Sequence, residues 1–375
     1  MEINLIGSTN NMDALDEMLE FSRNCARVCY SEKDFEELQE EKPDLKLTER
    51  LLKSGHHSVF EHINLTFNMK GIPKILAMVL NNEKQYATSE KSARYTQMSE
   101  IDERQKEKYD KWKAILIPEI NKVFPNLKDK KIREISIKKL AQENARYMTS
   151  IFTPTKMIHT VNLRQLNFLI YEFENFIKKY QCGEKVLKTR LTGSMNEFLK
   201  QTDFLKINGL ENQTDRHLSL FNKKKVKEHF GDTYSTNYLM SFAGLAQAHR
   251  HRTINYHISD GIQNESKLGF FVPDILPENL KEEWVKDLKK ISEYDFPQAQ
   301  LIRINERGIK EDFKSKRTLR ECGHAQYEIM KNTLETSLKY SFVDDEIIFD
   351  EKPKCTPKGC KGCHWGNKYG IKRNV

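Results

Sequence analysis

The chain has 375 residues, 38% of them hydrophobic and 31% charged, with a formal net charge of +8 and seven cysteines. That length exceeds what one core usually serves, so two domains with adequate cores are expected, and no apolar run approaches the roughly 20 residues of a membrane-spanning helix. Lys and Arg alternate with Glu and Asp, as in Glu103-Arg-Gln-Lys-Glu-Lys108, which marks solvated helix faces rather than a nucleic-acid surface.

In chain order, the N-terminus lacks a basic region followed by an apolar stretch, so an unprocessed, soluble, cytoplasmic protein is expected, and the cysteines should be thiols or metal ligands rather than disulfides. Asp13 to Cys29 reads as a helix. Ile63, Leu65, Phe67 and Met69 alternate with polar residues as a half-buried strand, and Ile72, Ile75, Leu76, Val79 and Leu80 then recur at helical spacing. Helices are expected at Arg104 to Val123 and Glu134 to Ser150, with Pro154 closing the second. In the next, Leu163 to Lys179, Leu166, Leu169, Ile170 and Phe173 form one stripe. Arg164 then lies near its start, where free backbone donors favour an anionic partner. Leu239, Phe242, Ala243 and Ala246 repeat the earlier helical stripe directly before Arg250. Gly269-Phe-Phe-Val272 reads as a strand and Ala325 to Tyr340 as the last helix. Helix dominates and strand signals are few, so the class is mixed α+β rather than regular α/β.

Two segments at equivalent ends of equivalent helices carry polar motifs: Gln85-Tyr-Ala-Thr-Ser-Glu90-Lys-Ser92-Ala93-Arg94-Tyr95, and Gln247-Ala-His-Arg250-His251-Arg252. Together they resemble one signature of the flavin-dependent thymidylate synthases: Arg-His-Arg, seven residues, Ser, one residue, Arg, Tyr. The first segment keeps the rear and has Asn82-Glu83-Lys84 in place of the basic triplet. The second keeps the front, and Thr253 to Asp260 holds no Ser-x-Arg-Tyr. Further likeness lies in Ala26-Arg-Val-Cys-Tyr30, Gly55-His56-His-Ser58-Val-Phe-Glu61-His62, Thr160-Val-Asn162-Leu-Arg164 and Leu319-Arg320-Glu-Cys-Gly-His324-Ala-Gln-Tyr-Glu-Ile329. Counting from Asn162 to the place of the closing arginine reaches Phe173, and counting back from Arg320 reaches Ile309. Each half lacks what the other keeps.

The resemblance implies two tandem diverged repeats of that family's α+β fold, with helices packed on a small, mainly antiparallel sheet. The repeats would span residues 1–205 and 206–345, followed by a Cys-rich basic tail at 346–375. It implies methylation of dUMP to dTMP with FAD as cofactor, methylenetetrahydrofolate as carbon donor and NADPH as reductant, and a homodimer mimicking the family's homotetramer. Arg320 is expected to activate the pyrimidine, because a guanidinium stays protonated and presents planar donors to O2 and ionised N3. Ser92 joins it as an orienting group, not a nucleophile. Gln247, Arg250, Glu90, Ser92, Ala93, Arg94, Arg146 and Arg320 form the dUMP set. His56, Ser58, Glu90, Asn162, Arg164, Arg250, His251, Arg252 and His324 form the FAD set, where cationic groups suit an anionic reduced flavin. His62 reads as structural and Glu83 as a solvated charge. Three alternatives stay open: a related flavoenzyme acting on another pyrimidine nucleotide, for example by hydroxymethylation, a non-catalytic nucleotide-binding or regulatory protein, and nucleic-acid binding through the basic surface. In the tail, Cys355, Cys360, Cys363 and His364 could hold zinc or an iron–sulfur cluster, with Cys182, Cys322 or another chain as alternatives to His364 for the fourth ligand. The competing reading is a disordered basic tail with redox-sensitive thiols.

Overall fold

A computed structural model describes every residue except 43, 97, 99, 183–185, 211–215, 222–226, 260–267 and 344–374. The chain divides into two units, each discontinuous in sequence: Met1–Lys91 with Pro154–Leu218, and Ser92–Thr153 with Ser219–Val375. The stretch 92–153 lies in the N-terminal half of the sequence and folds with the C-terminal half. Repeat boundaries near 205 and 345 concern ancestry and stay a proposal; compaction follows another division. None of the described helices is long and apolar enough to cross a membrane.

The first unit opens with β1 (Glu2–Ser8), α1 (Leu15–Val28), α2 (Phe35–Glu40) and α3 (Leu45–Lys53). A 3-10 turn, His57–His62, leads into β2 (Asn64–Pro73), α4 (Lys74–Leu80) and β3 (Ala87–Glu90). Residues 92–153 contribute α5 (Glu103–Val123) and α6 (Lys130–Ala145) to the second unit, after which β4 (Pro154–Asn162), α7 (Leu163–Tyr180) and α8 (Val186–Thr202) complete the first. The second unit continues with β5 (Thr233–Ser241), α9 (Phe242–Ala248), β6 (Asn255–Ile258), α10 (Glu278–Ser292), β7 (Leu301–Ile309), α11 (Lys310–Arg320) and α12 (Tyr327–Ser341). Helices packed on small antiparallel sheets make an α+β protein, as expected.

The first sheet runs β1-β2-β4-β3 and the second β5-β7-β6, every pairing antiparallel. In β2, period-2 alternation turns Leu65, Phe67 and Met69 inward, and the bulge between Lys70 and Ile72 shifts the phase so that Ile72 is buried as well, each contributing about 2 kcal/mol of apolar burial. Helix α4 has seven residues and buries all of Ile75 to Leu80. A helix that short is marginal alone, so packing on the sheet holds it. The second unit builds its largest core where α5, α6 and α10 meet, with Trp112 and Trp284 edge to face at 4.9 Å. Asp287 fastens that contact by accepting from Trp112 Nε1 at 3.0 Å.

The two units repeat one plan. In each, a long strand runs into a short helix, a four-residue strand follows, and a nine-residue strand then runs into a longer helix. The nine-residue strand lies between the other two in both sheets. Residues 81–86 join α4 to β3 and residues 249–254 join α9 to β6, the same length.

Several expectations are corrected. Ile72 belongs to β2, not to the helix after it, and Leu239 lies in β5, 41% exposed, not on a helical stripe. Gly269–Val272 is no strand: Phe270 makes one isolated bridge to Gln300, and its ring and that of Phe271 pack against the α5–α6–α10 core instead. The helix expected to reach Ser150 ends at Ala145 and tightens into a 3-10 turn, Arg146–Met148. Pro154, expected only to close a helix, opens β4.

Candidate functional site

The second unit assembles its polar groups around the ends of short elements. The Ser241 hydroxyl caps α9, accepting from Gly244 N at 3.0 Å while donating to the Glu328 carboxylate at 2.6 Å. Glu328 also accepts from Ser241 N at 2.6 Å and from the Tyr147 hydroxyl at 2.8 Å. Burial pushes the Glu328 pKa up, against the pull of the Ser241 bonds and Arg146. Gly244 leaves room for that carboxylate, since a Cβ there would stand 2.7 Å from Glu328 Oε2 and 2.6 Å from Met240 Cγ. The fixed α9 presents Gln247, buried, and Arg250, exposed, at its C-terminal end. With the Gln247 amide oxygen facing Arg250, it accepts from Arg250 Nε and Nη1, both at 3.3 Å.

Arg320 closes α11, and its Nε donates to His251 Nε2 at 2.6 Å. His251 is held neutral, its pKa lowered to about 2 by burial first and then by Arg320 and Lys316. A neutral imidazole can accept from a guanidinium; an imidazolium could not. Burial and the neighbouring Arg250 lower Arg320 itself to about 10, so it stays charged at neutral pH. One turn earlier on α11, Lys316 is wholly buried on Glu306, which also accepts from the Tyr238 hydroxyl and, at 2.7 Å, from the Tyr234 hydroxyl. The sequence reading missed this network. Its one signal was a lysine four residues before Arg320, on the same helix face.

Residues 92–153 bring the complementary groups into the same unit. Arg94, buried, donates from Nε to Glu143 Oε2 at 2.7 Å and from Nη2 to the His324 carbonyl at 3.1 Å. Burial would lower its pKa, but Glu143 outweighs that and the net shift is upward. Arg146 is 6% exposed, and its Nε and Nη2 find no hydrogen-bond partner among the described residues. Burial and the Arg94 charge lower its pKa, against Glu143. Ser92 and Ala93 are half-buried just before Arg94. Ser92, Arg94, Arg146, Gln247, Arg250, His251, Arg252, Arg320 and His324 therefore all belong to one unit. Arg94 is tied to the loop that follows Arg320, and its charge acts on that guanidinium. Guanidinium density at this level calls for an anionic ligand.

The remaining flavin candidates lie in the first unit. His56 and Ser58 are exposed on the 3-10 turn before β2. Glu90, ending β3, pairs with Lys74. Asn162 caps α7, its side chain accepting from Gln165 N at 2.7 Å, and Arg164 pairs with Glu61 at 2.7 Å. His62 ends the turn, exposed, and its backbone carbonyl accepts from the Thr9 hydroxyl at 3.0 Å. In the place of the basic triplet, Glu83 is 2% exposed, which overturns its reading as a solvated charge. Arg216 explains the burial: its Nη2 stands 3.7 Å from Glu83 Oε2 and donates to the Lys84 carbonyl at 3.0 Å, with its guanidinium 4.0 Å over the Phe168 ring. Phe173, the eleventh residue of α7, takes the position that Arg320 has in α11 and packs on Phe198 at 5.2 Å.

Cys355, Cys360, Cys363 and His364 lie outside the described residues. Cys182 and Cys322 are free thiols, one exposed and one buried, and no group of three or more His, Cys, Asp or Glu among the described residues could hold a metal.

Residues 12–172 match the family described as thymidylate synthase complementing protein. The flavin-dependent thymidylate synthase of Pyrococcus furiosus is 27% identical over 148 residues, 36% of this chain and 57% of that protein. That of Clostridium tetani is 30% identical over 161 residues, 38% of this chain and 64% of that protein. The chain thus spans a little over half the length of these relatives. Among solved structures, thymidylate synthase X from Helicobacter pylori with FAD and dUMP covers 56% of this chain and 99% of its own at 18% identity, with a TM-score of 0.31. A UMP/dUMP methylase from Streptomyces cacaoi bound with 5-Br dUMP covers 45% of this chain and 76% of its own at 17% identity, with a TM-score of 0.30.

Proposed function

We propose that the chain, whose residues 12–172 match the thymidylate synthase complementing protein family, methylates dUMP to dTMP, with methylenetetrahydrofolate as carbon donor and NADPH as reductant. One site per chain would serve, composed from both halves of the sequence. The observation that carries the reading is that Arg94 and Arg146 from one half share a unit with Gln247, Arg250 and Arg320 from the other, with Arg94 bonded to the His324 carbonyl.

In this reading Arg146, Arg94 and Arg250 hold the nucleotide phosphate, each charge-assisted bond contributing roughly 1.5–3 kcal/mol. Arg320, pinned by neutral His251, directs its remaining donors at O2 and N3 of the uracil and raises electron density at C5. Ser92 orients the nucleotide. The exposed Arg250 and Arg252 suit an anionic dinucleotide. FAD, when bound, supplies the redox chemistry that links NADPH to the new methyl group. Two chains would together take the place of the family's four subunits.

The test is incubation of the purified chain with dUMP, methylenetetrahydrofolate, NADPH and FAD, followed by mass spectrometry of the nucleotide. A gain of one CH2 supports the proposal. A hydroxymethylated product, or none while the protein is folded and yellow, overturns it.

A further inference from the structure

Helices α5 and α6 form an antiparallel hairpin inside the second unit. Tyr109 lies on α5, 14 residues before its end, and residue 144 lies 14 residues after the start of α6. At 1.5 Å per residue both are about 21 Å from the connection, so Tyr109 stands level with the stretch that holds Gln142 and Arg146. Gln142 and Arg146 are four apart and share one face.

This level of the hairpin holds an unusual set of buried atoms. The Tyr109 hydroxyl, Gln142 Nε2 and Arg146 Nε and Nη2 are all buried, and none has a hydrogen-bond partner among the described residues. Tyr109 is 2% exposed and Arg146 6%. Three side chains thus offer hydrogens and find no acceptor. Leaving one such group unpaired costs roughly 1–3 kcal/mol, more if charged, so native chains satisfy nearly all of them. The Arg146 and Gln142 nitrogens can only donate and the Tyr109 hydroxyl can donate as well, so an acceptor that donates nothing, which is the character of an oxyanion, satisfies all three at once. Burial drives the Tyr109 pKa up to about 12, with Asp110 adding and Arg146 opposing, so the hydroxyl keeps its proton at any working pH.

We propose that Tyr109 and Gln142 complete an oxyanion pocket with Arg146, and that its occupant is the doubly charged terminal phosphate of a nucleoside monophosphate. The inference rests on the nucleotide reading above and deepens it: the three donors serve the phosphate and make affinity depend on it, leaving the base to Arg320.

Calorimetric titration of the full chain and of the variants Tyr109→Phe and Gln142→Met with dUMP, deoxyuridine and inorganic phosphate provides the test. Each variant is expected to weaken dUMP binding roughly tenfold or more, the effect of one hydrogen bond to a charged group, and to leave the affinity for deoxyuridine unchanged. Ligand-free Tyr109→Phe should melt no lower than the parent chain, because it sheds an unpaired buried hydroxyl. If both variants bind dUMP within twofold of the parent, the pocket is overturned while the nucleotide reading stands. If the parent binds inorganic phosphate, Tyr109→Phe abolishes that binding, and dUMP is not bound, the pocket stands and the nucleotide reading falls. A lowered melting temperature of Tyr109→Phe would place an internal partner on the hydroxyl and overturn the pocket.

Discussion

Arg320 and His251 form the smallest working part of the proposed site. Lysine at position 320 would keep the charge and lose both the Nε bond to His251 and the planar pair of terminal donors. Arg320→Lys is therefore expected to lower kcat on the order of a hundredfold or more while largely sparing FAD binding, and a variant retaining most of its turnover would remove Arg320 from its role. His251 carries a second expectation. Its pKa is about 2 in the folded chain against 6.5 for the free group, so below pH 6.5 the unfolded chain takes up a proton that the folded one refuses. The stability this lends is complete above pH 6.5 and is lost as pH falls, by about 1.4 kcal/mol per unit once well below that value. Buried Glu321 and Glu328, both raised, act in the opposite sense. Urea midpoints between pH 7 and 4 should therefore decline less steeply in His251→Asn than in the parent, and parallel slopes would refute the assignment. The motif made His251 and Arg320 legible as candidates. Their mutual bond was not legible, because residues 69 apart meet only through the fold.

Helix α9 shows how an element is fixed from outside. Its seven residues depend on the Ser241 cap and on Glu328, which reaches the same serine from α12. Alanine at 244 would improve helix propensity by about 1 kcal/mol, yet its Cβ would meet the Glu328 carboxylate at 2.7 Å, where Ser241 and Tyr147 already hold it. Gly244→Ala is expected to destabilise by about 1–3 kcal/mol, read from the urea midpoint at constant slope; a neutral or stabilising result would mean that Glu328 moves freely. Elements with a plain apolar period, such as β2 and α7, were legible in the sequence. Strands β4 and β7 were not, because their buried positions include Thr155 and His159 in one and Asn305 and Glu306 in the other. A buried carboxylate met by Lys316 from the next helix turns an inward strand position into an apparent surface one.

At the scale of the molecule, the repeated strand–helix plan and the unequal inheritance of its motifs predict one FAD per chain. Absorbance titration of the purified protein should saturate at that ratio, and two FAD per chain would contradict the division of labour between the copies. The two half-motifs at equivalent helix ends foreshadowed the repeated strand–helix plan. The transfer of residues 92–153 to the second unit was not, since hydrophobic period reports which face is buried and is silent on which partner buries it.

The aromatic ring at position 173 has an evolutionary corollary. Restoring an arginine there would push a guanidinium into a fully enclosed site against Phe198, an uncompensated charge that costs several kcal/mol. Refilling the triplet at 82–84 would meanwhile confront Arg216, already settled on Glu83 and the Lys84 carbonyl. No single substitution at 82–84 or 173 therefore restores the full motif to the first unit. On the proposal that the two units are diverged copies, each keeping a different half of the motif, neither could be deleted without losing the site.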